Sequence, residues 1–149
     1  MDLPDAAATQ SLGGRLAASL PKDPGGWMIL LRGELGAGKS TLARAVLRAL
    51  GHEGNVPSPT YTLVEPYQIG DVSAYHVDLY RVSEASELEY LGWSDLCEGL
   101  VLIEWPERAQ GLVSHGDMLI DLCYSGEGRN ARVFGISERG RTAIEAVLL

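Results

Sequence analysis

Apolar residues fall along this chain in two rhythms. Leu12, Leu16 and Leu20 stand four apart, the spacing of one helix face, and Pro21 forbids continuation. A helix is therefore expected from Thr9, as its cap, to about Leu20. Pro24-Gly25-Gly26 is a turn into Trp27-Met28-Ile29-Leu30-Leu31, an apolar run of strand length. From Thr41 to Leu50 the apolar positions 42, 46, 47 and 50 share a helical face again, and Gly51 suits the residue after a helix end. Pro57 and Pro59 flank Ser58, which excludes helix and fixes an extended loop over 55–61. Thr62 to Ile69 and Val72 to Leu79 read as two strands of a hairpin turning at Gly70-Asp71. Ser83 to Leu91 reads as a helix capped by Ser83 and carrying Glu84, Glu87 and Glu89.

Leu100-Val101-Leu102-Ile103 is wholly apolar, the signature of a parallel strand buried on both faces. Met118 to Leu122 and Arg129 to Ser137 form a further hairpin across Gly126-Glu127-Gly128. Arg141 to Leu149 closes the chain as a helix with Ala143, Ile144, Val147 and Leu148 on one side. The fold class is α/β, around a central mixed sheet that is partly parallel and partly antiparallel. At 149 residues, without repeat, low-complexity tract or linker, the chain is expected to form a single domain spanning 1–149.

Between the Trp27–Leu31 strand and the helix that follows stands Gly33-Glu34-Leu35-Gly36-Ala37-Gly38-Lys39-Ser40, a full match to G-x-x-x-x-G-K-[ST]. Strand, glycine loop and helix is the context a phosphate-binding loop requires. Glycines let the backbone turn tightly and approach a phosphate without side chains in the way. The N–H groups of Gly36, Ala37, Gly38, Lys39, Ser40 and Thr41 then form an anion nest at the positive end of the helix. Lys39 is placed to reach β- and γ-phosphates, and the Ser40 hydroxyl to join a Mg²⁺ ion. The plain alternative is a glycine-rich turn before an ordinary helix. Lys39 is also one of two lysines in a chain that otherwise uses arginine.

Such a loop needs a carboxylate near its metal, usually at the end of a buried apolar strand. Two positions qualify. Glu104 follows Leu100–Ile103 directly and is read as the metal-side carboxylate. Asp78 ends Ala74-Tyr75-His76-Val77 and is read as the acid that orients or activates the attacking water. The alternative for either is a strand-end acid paired with an arginine such as Arg81. His76 shares a strand face with Asp78, and is read by itself as a structural histidine. Thr60, in the proline-bounded loop, is read as a γ-phosphate sensor or as part of a rigid connection. Trp105 is either core or packed near a nucleotide.

The net charge of −8 argues against a protein that holds nucleic acid by electrostatics alone. Cys97 and Cys123 lie in no metal-ligand spacing and are read as reduced thiols, without a disulfide. No apolar run approaches the ~18 residues that span a membrane, and the acidic Met1–Asp5 start is unlike a signal peptide. A cytoplasmic location and no membrane partner are expected.

Four motifs in order carry a resemblance: Gly33 through Thr41, Ser58-Pro59-Thr60-Tyr61-Thr62-Leu63-Val64, His76-Val77-Asp78-Leu79-Tyr80-Arg81, and Ile103-Glu104-Trp105-Pro106-Glu107. Together they resemble the bacterial TsaE family, also called YjeE, small ATPases required for threonylcarbamoyladenosine (t6A) synthesis on tRNA. The likeness runs from the Leu12-Gly13 helix to the Gly128-Arg129 hairpin. The family usually has Asp where Glu34 stands and Thr where Ser40 stands, and both differences keep the chemistry. The resemblance implies a three-layer P-loop NTPase-type fold whose mixed sheet has a parallel core and added antiparallel strands. It implies ATP or ADP with Mg²⁺ as cofactors, metal ligands at Ser40 and Glu104, and a switch-like loop at Thr60. It also implies an active-site acid at Asp78 and a tryptophan near the nucleotide at Trp105. The implied partner is the TsaD–TsaB pair, which modifies adenosine 37, so that tRNA is met only through that complex. Slow ATP hydrolysis would then reset the complex.

Three other classes are weighed against this. A small-molecule kinase of the P-loop class would need an acceptor pocket and an arginine-bearing lid, and no lid-like insertion is present. A GTPase would need an Asn/Thr-Lys-x-Asp motif, and no lysine follows Lys39. A nucleotide sensor without hydrolysis would use the same residues, and turnover separates it from an ATPase.

Overall fold

The apolar runs form strands β1 (Asp2–Leu3), β2 (Met28–Gly33), β3 (Val64–Ile69), β4 (Val72–Asp78), β5 (Leu100–Glu104), β6 (Met118–Ser125) and β7 (Gly128–Gly135). In the computed structural model, which describes residues 1–57, 59 and 63–149, these pair in the order β1-β7-β6-β2-β5-β4-β3. β6, β2, β5 and β4 run parallel, and β3, β7 and β1 are added antiparallel at the two edges. The mixed α/β fold with a parallel core is thus the one expected. The helices are α1 (Ala6–Ser19), α2 (Lys39–Ala49), α3 (Trp93–Leu96) and α4 (Glu138–Leu148).

The two faces of the sheet follow from strand alternation. Ile29, Leu31, Leu100, Leu102, Ile120 and Leu122 face a core shared with Leu12 and Leu16 of α1, Leu42, Val46 and Leu47 of α2, and Val147 of α4. Leu30, Val77, Val101, Ile103 and Leu119 face a second core, closed by Leu88 and Leu96 from short helical turns and by Val82 and Leu112 from loops. α1 and α2 pack closely because both are small where they meet. A Cβ on Gly13 would stand 2.4 Å from the Cβ of Ala45.

Three expectations need correction. The first helix begins at Ala6, because the Asp5 carboxylate accepts Ala8 N–H (2.9 Å) and takes the capping role given to Thr9. Thr9 is buried inside the first turns. The acidic segment is a 3₁₀ turn over Ala85–Leu91 capped by Glu84, not an α-helix capped by Ser83. The Glu87 carboxylate bends back to accept the N–H groups of Ser83 and Glu84, and Leu88 is the buried residue of that turn, too little apolar anchoring for a full helix. Gly92, at φ +72°, then breaks the chain before α3. The closing helix starts at Glu138, three residues early, because the Ser137 hydroxyl accepts Gly140 N–H (2.9 Å). β1 was not foreseen, since two residues carry no period. Both cysteines are free thiols, and no helix among the described residues is long and apolar enough to cross a membrane.

Candidate functional site

β2, β5 and β4 run parallel, so their C-terminal ends meet at one edge of the sheet. Leu31, Glu104 and Asp78 lie on one rung. Glu104, Asp78 and His76 occupy positions on the α2 side, where alternation elsewhere places Ile29, Leu102 and Ala74. All three are buried. The site is thus the end of the inner face where the apolar pattern gives way to acids and a histidine.

β2 leads into the loop 33–38, and Gly38 at φ +105° starts α2. No heavy atom lies within 4 Å of where its Cβ would be, so the glycine answers a backbone conformation. Lys39 folds its ammonium back under the loop, donating to the carbonyls of Gly33 (2.6 Å) and Glu34 (2.9 Å). Burial pushes its pKa below the lysine norm, while the carboxylates of Glu104, Glu107 and Asp78 pull upward. Ser40 Oγ donates to the Glu104 carboxylate (2.8 and 3.0 Å), and His76 Nε2 donates to Glu104 Oε2 from the other side. His76 Nδ1 is buried without a partner among the described residues. Asp78 Oδ1 accepts Tyr80 N–H at 2.8 Å.

Among the described residues two non-glycines have left-handed backbone, Leu63 (φ +67°) and Trp105 (φ +58°), and both adjoin these acids. Leu63 accepts the Asp78 N–H through its carbonyl (2.9 Å). Trp105 turns its indole back over Lys39, with Nζ 4.3 Å from the ring centre. Strained backbone of this kind persists where surrounding structure over-determines it, and it clusters at functional sites. Trp105 is therefore at the loop, not in the deep core, with Tyr80 and Arg108 stacked against it.

Leu35, Gly36, Gly38, Lys39, Ser40, Thr41, Asp78, Glu104 and Trp105 line one cleft of about 290 Å³. The sequence-predicted residues are brought together there, Ala37 lying buried behind the loop. Thr60 lies outside the described residues. Donor chemistry fits a nucleotide-borne Mg²⁺. The Ser40 hydroxyl and Glu104 carboxylate are hard oxygen ligands in mutual contact. Among the described residues no group of three or more His, Cys, Asp or Glu is arranged to hold a metal alone.

Three residues at the site were not read as functional. His76 braces Glu104. The Tyr124 hydroxyl donates to the Leu35 carbonyl (2.8 Å), and Arg129 Nη2 to the Gly36 carbonyl (3.1 Å). Alternation placed His76 beside Asp78. No local signal could tie 124 or 129 to 35 and 36, because that contact rests on strand register.

The family described as threonylcarbamoyl adenosine biosynthesis protein TsaE matches residues 3–133. The chain is 44% identical over 121 residues to the tRNA threonylcarbamoyladenosine biosynthesis protein TsaE of Haemophilus influenzae, covering 80% of this chain and 77% of that protein. It is 44% identical over 118 residues to the protein of the same name from Synechocystis, covering 75% and 73%. Among solved structures, Bacillus subtilus YdiB shares the fold, with a TM-score of 0.75 at 23% identity over 97% of this chain and 89% of that one.

Proposed function

Because the chain belongs to the TsaE family of tRNA threonylcarbamoyladenosine biosynthesis proteins, we propose that it is the ATP-binding and ATP-hydrolysing component of that modification, acting on a TsaD–TsaB complex. The observation that carries the reading is the convergence of Lys39, Ser40, Glu104 and Asp78 on one cleft at the start of α2. A polyphosphate accepts the inward N–H groups of the loop and the positive end of α2. Lys39 leaves the Gly33 and Glu34 carbonyls and turns its charge to the β- and γ-phosphate oxygens. Ser40 and Glu104 hold Mg²⁺, which when bound neutralises phosphate charge. His76 keeps the Glu104 carboxylate aimed at that position. Asp78, one strand over, orients the water and draws off its proton. Trp105 covers Lys39 and limits solvent access to the phosphates.

The chain's acidic balance supports a module that works through a partner and meets tRNA only through the complex. The deciding experiment is steady-state Mg²⁺-ATP hydrolysis, alone and with a purified TsaD–TsaB pair. The expected result is a low basal rate that rises with the pair and is lost in Lys39→Ala. Phosphate appearing on a metabolite, with no response to the pair, would make the chain a small-molecule kinase instead.

A further inference from the structure

Four consecutive loop carbonyls, those of residues 33 to 36, are all held, and they are held in two different ways. Lys39 holds the Gly33 and Glu34 carbonyls from inside the loop. Tyr124 and Arg129 hold the Leu35 and Gly36 carbonyls from outside. Carbonyls held in this way are kept out of the anion nest that the loop's N–H groups would form. When Lys39 moves to a phosphate both inner contacts are given up, and the Glu34 carbonyl keeps only the Ala37 N–H of the loop's own turn (3.0 Å). The outer pair can stay.

The outer pair is built with care. Gly33 and Leu122 are partners in the β2–β6 register, so Tyr124 stands beside the loop just after β2 ends. Tyr124 and Arg129 face each other across the β6–β7 ladder. The guanidinium stacks on the phenol ring at 4.3 Å. Arg129 Nη1 is anchored on the hairpin's own turn, at the carbonyls of Gly128 (2.9 Å) and Glu127 (3.4 Å), which leaves Nη2 aimed at Gly36. Its donors meet only carbonyls, and its buried Nε has no partner among the described residues. A Cβ at position 36 would stand 2.6 Å from the Tyr124 hydroxyl, so a side chain there would push the phenol off the loop. Leu35, at the tip, is itself largely exposed, and its carbonyl is held by the hairpin's Tyr124.

We propose that the β6–β7 hairpin is a strut for the phosphate-binding loop, with Tyr124 and Arg129 as positioning residues that keep its N–H groups inward while Lys39 changes partners. The inference rests on the nucleotide-binding reading above for its consequence, and on loop geometry alone for its cause. The test therefore has two arms, run on Tyr124→Phe, Arg129→Met and Arg129→Lys in the full chain. In the first, amide hydrogen exchange without ligand should speed up severalfold at residues 35–38 in Tyr124→Phe and stay unchanged in β2 and β6. In the second, titration calorimetry with Mg²⁺-ADP should show affinity falling roughly threefold to tenfold, the equivalent of one lost hydrogen bond, without a matching drop in melting temperature.

Arg129→Lys should fail as Arg129→Met does, because an ammonium keeps the charge but not the fork that spans the turn and the loop. Wild-type loop exchange in Tyr124→Phe, or wild-type affinity in Arg129→Lys, would overturn the strut. A wild-type chain that binds no Mg²⁺-ADP, but whose loop still loosens in Tyr124→Phe, would overturn the nucleotide reading and keep the strut.

Discussion

Replacing Asp117 by alanine removes a carboxylate buried at the strand ends farthest from the phosphate loop. Its Oδ2 accepts the N–H of Met28, the first residue of β2, at 2.9 Å. Its Oδ1 accepts Ser137 Oγ (2.6 Å) and Arg139 Nε (2.8 Å), and Arg139 Nη2 reaches Oδ2 at 3.0 Å. One side chain thus ties β2, the start of β6 and the cap of α4 together. The Met28 N–H would be left buried without an acceptor, at a cost of about 1–3 kcal/mol. The Arg139 pair adds less, about 1 kcal/mol at most, because Arg139 is half exposed and stays bonded to the Gly26 carbonyl and stacked on Trp27. Ser137 can turn its hydroxyl to water. The sum is about 3 kcal/mol, which for a chain of this length lowers the melting temperature by roughly 6–12 °C.

The pH dependence has a definite sign. Burial alone would raise the Asp117 pKa, but hydrogen bonds from Arg139, Ser137 and the Met28 N–H outweigh it and hold the carboxyl below the ordinary value of 3.8. A depressed folded pKa gives stability that is complete above the unfolded value and is lost as pH falls through the folded one. The difference between wild type and Asp117→Ala should therefore be flat from neutral pH down to about pH 5 and shrink below about pH 4. Thermal melts across that range measure it. Because β2 spans roughly 16 Å between Met28 and Gly33, nucleotide affinity of the folded variant should be unchanged. A melting shift under about 2 °C, or a difference that grows on acidification, would refute the reasoning.

Two further outcomes are expected. Glu104→Ala should weaken Mg²⁺-nucleotide binding far more than metal-free nucleotide binding, by roughly tenfold to a hundredfold on the scale of a lost ligand-orienting carboxylate; calorimetry with and without EDTA reads this, and an unchanged Mg²⁺ dependence would move the metal role to Asp78. Gly13→Ala should destabilise by about 1–3 kcal/mol in urea unfolding, because the new Cβ meets Ala45 at 2.4 Å with backbone behind it at 2.9 Å; wild-type stability would mean that α1 and α2 separate freely.

What could be read from the sequence was whatever local spacing encodes. The loop 33–40 was legible because its chemistry needs glycines and a lysine at fixed intervals. Glu104 and Asp78 stood out as polar ends of apolar strands, and the structure sets them on one rung. What needed the structure was register. That His76 touches Glu104 follows from the pairing of β4 with β5, and that Tyr124 reaches Leu35 follows from the pairing of β2 with β6, across 89 residues of chain. Two caps were misplaced: Asp5 caps where Thr9 was expected, and Glu84 where Ser83 was. Spacing alone cannot rank them, because the choice depends on which side chain is free to fold back on the first turn.

Lys39, His76, Asp78 and Glu104 are buried where the sheet meets the loop, and each would be costly alone. They coexist because each has a partner: Lys39 the loop carbonyls, Glu104 the His76 ring and the half-buried Ser40 hydroxyl, and Asp78 the Tyr80 N–H. The same bonds are those a nucleotide with its metal would take over. In the proposed function Lys39 would exchange carbonyls for phosphate oxygens, and Ser40 and Glu104 would exchange each other for an ion. Binding at this cleft is then a replacement of partners within a built set, with little side-chain ordering left to offset. The arrangement asks one thing of the fold: the loop must not collapse in the interval when Lys39 has released the Gly33 and Glu34 carbonyls. Glycines give the loop its reach, and the Ala37 N–H keeps the Glu34 carbonyl in the loop's own turn (3.0 Å). The Leu35 and Gly36 carbonyls are held from outside, by the hairpin residues Tyr124 and Arg129.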